Sequence, residues 1–232
     1  FPIYMPSGTS IIGSQLTTEY SKFVIHGDKD GGSIIEYGDS TPASKVLDSF
    51  FVPDEATLID IQDVKFRYGS ALFSVQDINE GIKQNIELMS IKRVAIQDMW
   101  HGIWYGQTNL ITRTNEIMRL EIDGLTGTAD TSVFEQAGYI AGYFREVDIQ
   151  EITIRNCDFD NITKAIHITH YDTTTSPAPA LVENCIMRNI THDDVRGNVW
   201  GFDIRRPVIY RNCQFLDSVL YDTTFDALSV DT

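Results

Sequence analysis

The chain has 232 residues, a net charge of −15 at pH 7 and three cysteines. This acidity excludes nucleic acid as an expected partner, because phosphate binding requires clustered Lys and Arg, and it disfavours anionic membranes. No apolar run is long enough to cross a bilayer, so we predict no membrane-spanning segment.

The first 40 residues carry the alternating apolar pattern of short strands, at 3–9 (IYMPSGT) and 23–35 (FVIHGDKDGGSII). The DKDGG stretch starts like a calcium loop, but the twelfth position is Asp39 instead of Glu, so we interpret it as a Gly-rich turn. Residues 41–57 are interpreted as a polar excursion, in which Pro42 and Pro53 surround the apolar pair Phe50 and Phe51.

Alternation resumes at 58–66 (LIDIQDVKF), 94–99 (VAIQDM) and 119–125 (RLEIDGL). Residues 76–87 fit a short helix or a lateral loop equally well. Segments 128–138 and 170–180 break the pattern, and we predict that they project as loops, where insertions often build binding sites. Residues 225–230 (FDALSV) are predicted to form a last strand.

An internal repeat organises the C-terminal part of the chain. The pattern apolar-x-apolar-x-Asn-Cys-x-apolar occurs three times, with both steps equal to 28 residues (185 − 157 and 213 − 185). The asparagines keep the same step, and they interrupt the alternation where a turn is needed, because Asn tolerates left-handed dihedral angles. The repeated pairs are Asn156-Cys157, Asn184-Cys185 and Asn212-Cys213.

The repeat predicts a coil of three short strands. Two strands flank each Asn-Cys pair, and a third follows a polar turn, as at 165–168 and 200–204. An all-β parallel solenoid of about eight coils results, with equivalent residues stacked at about 4.8 Å. We predict one domain, 1–232, cut from a longer chain. The cysteines are expected to form an inward column, and the sequons at Asn161 and Asn189 are interpreted as turn positions.

The coil pattern resembles a known family. Asn-Cys-x-Phe, then a polar turn and Ile-x-Ile, is similar to the coils of right-handed, single-stranded parallel β-helix proteins of the pectin-lyase-like superfamily. The opening at 3–9 and 23–35 resembles the first coils of bacteriophage tailspikes and capsule depolymerases. This resemblance implies a homotrimer on a virion tail or otherwise outside the cell, acting on a bacterial surface polysaccharide. The Asn-Thr-Asp, Gly-His-Gly and Arg-Ile-Lys signatures of polygalacturonases are absent from the sequence.

An outward row of side chains on the third strands is the predicted site. If the apolar residues of these strands point inward, their neighbours point to solvent, which places Trp104, His167, Asp203 and Arg205 in one row. The coil at 139–144 contributes a residue that the pattern does not identify. We also assign sugar contacts to aromatic residues that cover the apolar faces of pyranoses. These are Tyr105, Tyr171, Trp100 and Trp200, of which the last two also fit the core.

Asp203 is the predicted catalytic carboxylate. Glycoside hydrolysis needs two carboxyl groups about 5–5.5 Å or 6.5–9.5 Å apart, and residues one or two coils apart meet either distance. The second group is expected from Asp172 or from a neighbouring chain. The alternative is β-elimination, with His167 or Arg205 near the abstracted proton. We predict no metal and no cofactor.

The expected function is therefore binding of a polysaccharide, and its cleavage by hydrolysis in preference to elimination. The alternatives are a receptor-binding spike without catalysis and a purely structural shaft. A binding spike would keep the aromatic row but lack a suitably spaced pair of carboxylates, whereas a shaft would have neither. Fold alone does not decide between them, because one fold hosts many functions.

Overall fold

A computed structural model describes the chain at 2–13, 16–18, 20–37, 49–53, 56–68, 71–75, 85–99, 101–106, 115–128, 140–145, 147–162, 164–168, 178–189, 200–204, 206–216 and 228–230. The described elements are strands, and none of these residues is helical. In chain order they are β1 Ile3–Tyr4, β2 Gly8–Ile12, β3 Leu16–Thr18, β4 Lys22–His26, β5 Ser33–Tyr37, β6 Ser49–Pro53, β7 Leu58–Gln62, β8 Lys65–Arg67, β9 Ala71–Val75, β10 Asn85–Ile86, β11 Leu88–Lys92, β12 Ala95–Gln97, β13 His101–Gly106, β14 Asn115–Asp123, β15 Thr126–Thr128, β16 Ile140–Arg145, β17 Val147–Arg155, β18 Asp158–Asp160, β19 Lys164–Ile168, β20 Ala180–Glu183, β21 Ile186–Arg188, β22 Trp200–Ile204, β23 Val208–Arg211, β24 Gln214–Leu216 and β25 Leu228–Val230.

The strands form three parallel sheets. Within the described residues the first sheet has ten strands, the second has eight and the third has seven. The first follows the order β1-β4-β7-β11-β14-β17-β20-β23-β25, with β10 added beside β14. The second is β2-β5-β8-β12-β15-β18-β21-β24, and the third is β22-β19-β16-β13-β9-β6-β3. The predicted parallel β-solenoid with three strands per coil is confirmed, although the number of strands varies slightly from sheet to sheet.

The core consists of apolar columns that run along the solenoid. One column on the first sheet passes through the buried residues Ile25, Ile61, Ile91, Ile122, Ile154 and Val182. Each side chain packs on its equivalent in the next coil because parallel strands in register place like positions about 4.8 Å apart. Full burial of one such side chain stabilises the fold by about 1.5–3 kcal/mol.

The cysteines occupy one of these inward columns. Cys157 and Cys185 are buried and Cys213 is partly buried, and the same position holds Val64, Val94 and Leu125 in earlier coils. The Cys157 thiol donates a hydrogen bond to the Arg155 carbonyl at 3.2 Å. The neighbouring thiol of Cys185 and burial raise the pKa of Cys157, which therefore stays protonated. The predicted thiol column is confirmed and fills space as a small hydrophobic group.

Each strand of the first sheet ends at a left-handed residue. The asparagines at 156, 184 and 212 have φ of 55°, 54° and 50°, as predicted. In earlier coils the same position is taken by Asp63, Arg93 and Gly124, also with positive φ. A second left-handed column follows the second sheet and includes Asn161 and Asn189, so the interpretation of both as turn positions is confirmed.

The turn asparagines also form a ladder of side-chain amides. Asn212 Nδ2 donates to Asn184 Oδ1 at 3.3 Å, and Asn184 Nδ2 donates to Asn156 Oδ1 at 3.4 Å. Asn156 Nδ2 ends the ladder at Asp123 Oδ1, 2.8 Å away. The backbone N–H of Asn184 bonds the Arg211 carbonyl of the following coil at 2.9 Å. The turn column therefore joins coils through both backbone and side chain.

We predict that Asn184→Ala lowers the free energy of unfolding by about 2 kcal/mol, since it loses the left-handed preference and the amide bonds together. Asn184→Gly keeps the backbone preference and should lose about half as much. Urea denaturation at neutral pH measures both variants. Equal losses for Ala and Gly would contradict a contribution from the positive φ.

The structure corrects one sequence interpretation and adds to another. Phe51 lies in β6, which pairs with β3 and β9, and not in a polar excursion. Pro53 misled the reading, but it is the last residue of the strand, where Pro is tolerated. The 28–32 segment forms the predicted turn, with Gly31 N–H bonded to the Asp28 carbonyl at 2.8 Å and Gly31 at φ 83°.

Candidate functional site

The third sheet carries the predicted site, and its strands alternate about a buried face. Ile103, Phe144, Ile166 and Ile168 are 1% exposed or less and belong to the core. Ile103, Gly142 and Ile166 are in register, as are Phe144 and Ile168. Residues between these positions belong to the alternate face because successive residues of a strand point to opposite sides.

One register column on this sheet brings the predicted residues together. Trp104 pairs with Ser74 on one side and with Tyr143 on the other. Tyr143 pairs with His167, which pairs with Asp203. Neighbouring members are therefore one rung, about 4.8 Å, apart. The predicted grouping of Trp104, His167 and Asp203 in one row agrees with this register.

Tyr143 is the member of the column that the sequence did not identify. The apolar pattern of β16 is broken by Gly142, which takes an inward position that Ile103 and Ile166 occupy in the adjacent coils. A Cβ at Gly142 would lie 3.3 Å from the Phe144 ring, so that side chain fills the space left by the glycine. Counting back from Phe144 gives the correct alternation. That count was the available signal.

His167 differs from its predicted environment. It was expected to be solvent-exposed, but its relative exposure is 6%. The side chains of Ile166 and Ile168 on either side belong to the core, so His167 lies on the alternate face, and other parts of the chain cover it there. The imidazole is therefore part of the packed structure and does not present a free surface.

The remaining predicted residues fall into two groups. Tyr105 shares its register column with Val75, Phe144 and Ile168, the last two of which are buried. Trp200 pairs with Lys164 at the start of its strand. The others, Trp100, Tyr171, Asp172 and Arg205, lie outside the described residues.

Comparison with protein-family models, curated proteins and solved structures finds no match to this chain. Function is therefore argued from its own residues. In the part of the chain that the structure describes, no helix has the length and hydrophobicity to span a membrane. Within the same residues no group of three or more His, Cys, Asp or Glu side chains could hold a metal ion.

Carboxylates on the first two sheets are paired with cations of adjacent coils. Arg188 binds both oxygens of Asp158, at 2.8 and 2.6 Å, and lies 3.4 Å from Asp160. Arg155 Nε donates to Asp123 Oδ2 at 2.9 Å. Further pairs join Arg93 to Asp63, Lys92 to Glu121 and Arg119 to Glu151. These exposed or half-exposed pairs each contribute about 0–1 kcal/mol, and they account for the carboxylates without a catalytic role.

A denser polar cluster lies near the start of the first sheet. Asp60 Oδ2 is 2.9 Å from His26 Nε2, and Gln62 Nε2 donates to both Asp60 oxygens at 2.9 Å. The Tyr4 ring meets His26 edge-on, with centroids 5.9 Å apart. Burial would raise the pKa of Asp60, but the hydrogen bonds from Gln62 and His26 outweigh it and lower that pKa.

We predict that this cluster stabilises the fold above acidic pH. Because the folded-state pKa of Asp60 lies below its ordinary value of 3.8, its contribution is present above that value and is lost as pH falls through the folded pKa. Asp60→Asn should therefore lower the free energy of unfolding at pH 7 and have little effect at the lowest pH at which the protein folds. Denaturant titrations across this range, with Glu151→Gln as an exposed control, measure the difference. A pH-independent loss in Asp60→Asn would contradict the charge argument.

Proposed function

We propose that the chain is a polysaccharide-binding β-helix that cleaves its glycan by hydrolysis, with the third sheet as the binding face. The observation that carries the proposal is the register column that joins Trp104, Tyr143, His167 and Asp203. Two aromatic residues on adjacent rungs suit the apolar faces of successive sugar rings. A carboxylate two rungs beyond them suits acid catalysis at a glycosidic bond.

Hydrolysis is favoured over elimination by the environment of His167. Elimination from an acidic sugar needs a base that reaches the substrate proton. An imidazole that is 6% exposed cannot meet a bound glycan without rearrangement of the chain that covers it. Asp203, on the adjacent rung, is the proposed acid. Asp172, or a carboxylate of a neighbouring chain, is the proposed second group.

The fold is that of a parallel β-solenoid, and the resemblance of the repeat supports placing it in the pectin-lyase-like superfamily, close to tailspikes and capsule depolymerases. On this proposal the protein is a homotrimer, acts outside the cell or on a virion tail, and binds a bacterial surface polysaccharide. Its acidity agrees with a partner that is not nucleic acid.

A receptor-binding spike without catalysis is the second candidate. The carboxylates of the first two sheets favour it, because those with described partners are engaged by Arg or Lys and leave no free pair. Such a protein would keep the aromatic column for binding and would release no product.

The deciding experiment incubates the protein with a panel of bacterial surface polysaccharides and reads two signals, reducing ends and ultraviolet absorbance of an unsaturated uronate. We expect new reducing ends without the absorbance, which indicates hydrolysis. Both signals together would replace hydrolysis by elimination. Binding without either signal would support the receptor-binding candidate, and no binding would remove the glycan proposal.

A further inference from the structure

The first sheet is interrupted at a corner, next to the strand that carries Asp203. The first part of β17 pairs with β14 from Asn115↔Val147 onward, whereas its printed pairing with the following coil begins only at Thr153↔Leu181. The chain of that following coil enters through Pro179, which has no N–H to donate, and β20 starts at Ala180. The carbonyls before this point need another donor, since unpaired backbone groups are costly when buried.

Arg206 supplies that donor from two coils along the chain. Its guanidinium donates to the carbonyls of Ile149 and Gln150, the second at 3.3 Å, and to the Ala178 carbonyl at 3.4 Å. One side chain therefore bonds the two preceding coils. Burial lowers the pKa of Arg206 and the nearby Asp148 opposes this effect. A planar group with five donors suits such a set of carbonyls better than an ammonium group does.

The backbone of Arg206 is tied to the end of β22. Its N–H donates to the Ile204 carbonyl at 2.8 Å, and Ile204 directly follows Asp203 in that strand. A guanidinium fixed to two lower coils thereby fixes the C-terminal end of the strand that holds the proposed acid.

We propose that Arg206 is a positioning residue, which holds β22 and therefore Asp203 in place by bonding the corner carbonyls of the two preceding coils. The catalytic part of this inference rests on the proposed function, but the fixing of the strand does not. A positioned acid needs its supporting contacts, because small displacements of catalytic groups have large effects on rate.

The test compares Arg206→Met, which keeps the apolar stem, with Arg206→Lys and with the control Arg211→Met, an exposed arginine of the same coil. Amide hydrogen exchange of residues 200–204 is followed by mass spectrometry, with residues 58–62 as a distant reference. We expect exchange at 200–204 to be about tenfold faster in Arg206→Met, intermediate in Arg206→Lys and unchanged in the control.

Unchanged exchange at 200–204 in Arg206→Met would overturn the inference, and so would equal acceleration at 58–62, which indicates general destabilisation. On a cleaved polysaccharide, Arg206→Met should lower kcat about tenfold with KM unchanged, as expected for a group that acts on the position of the acid. A wild-type protein that cleaves nothing would refute the proposed hydrolysis, while the exchange result would still decide whether Arg206 fixes the strand.

Discussion

Asp203→Asn is expected to abolish cleavage of the glycan while sparing folding and binding. The substitution keeps the size of the side chain but removes the proton that the leaving oxygen needs, so kcat should fall by about 10³-fold. Since binding is assigned to the aromatic part of the column, the dissociation constant of the glycan should change little. Reducing-end assays and calorimetric titration of the same preparation measure the two effects.

Asp158→Asn is the matched control for this experiment. Asp158 is a carboxylate on the second sheet, engaged by Arg188, and its replacement should leave cleavage unchanged. Full activity of Asp203→Asn would remove Asp203 from the mechanism. Loss of binding together with cleavage would instead indicate that Asp203 contributes to the glycan complex or to the fold.

Gly27→Ala should produce the largest loss of stability expected from a single methyl group in this chain. Gly27 lies at the first turn of the first sheet, and its N–H bonds the Gln62 carbonyl at 2.8 Å. A Cβ there would lie 2.0 Å from the Asp63 carbonyl oxygen and 2.8 Å from Val64 Cγ2. A backbone atom cannot move aside as a flexible side chain does, so the adjacent coil must shift, and we expect a loss of about 3 kcal/mol.

Gly13→Ala provides the control, because a Cβ at Gly13 meets no atom within 4 Å. Its free energy of unfolding should change by less than about 0.5 kcal/mol. Both variants are compared by urea denaturation under the same conditions. A Gly27→Ala variant as stable as Gly13→Ala would show that the close approach of the Asp63 backbone is not maintained in solution.

The C-terminal coils could be predicted from the sequence because their spacing is uniform. Register partners Ile154, Val182 and Tyr210 are 28 residues apart (182 − 154 and 210 − 182). Alternation and the Asn-Cys pairs therefore fixed the strands, the turns and the inward thiols. The row of Trp104, His167 and Asp203 followed from the same alternation.

The earlier coils were harder to predict because their lengths vary. Ile61 and Ile91 are in register at a step of 30 residues (91 − 61), and Ile91 and Ile122 at a step of 31 (122 − 91). Their turn positions hold Asp63 and Arg93 instead of Asn, so no repeated letter marks them. Strands of the third sheet, such as β6, were missed for the same reason.

The environment of His167 and the contacts of Arg206 depend on tertiary structure. Alternation predicts which face of a strand a residue takes, but not what covers that face, and so His167 was placed in solvent. Arg206 bonds carbonyls 56 and 57 residues earlier in the chain. No local pattern predicts a contact over two coils.

The turn column, in which each backbone N–H bonds a carbonyl of the next coil, also has a mechanical consequence. Because these bonds lie along the solenoid, a pulling force applied at the two ends would open one coil at a time from an end, as a zipper opens. Each released C-terminal coil of 28 residues (213 − 185) would add roughly 95 Å of chain length. A single-molecule extension trace should therefore show regular steps of that size.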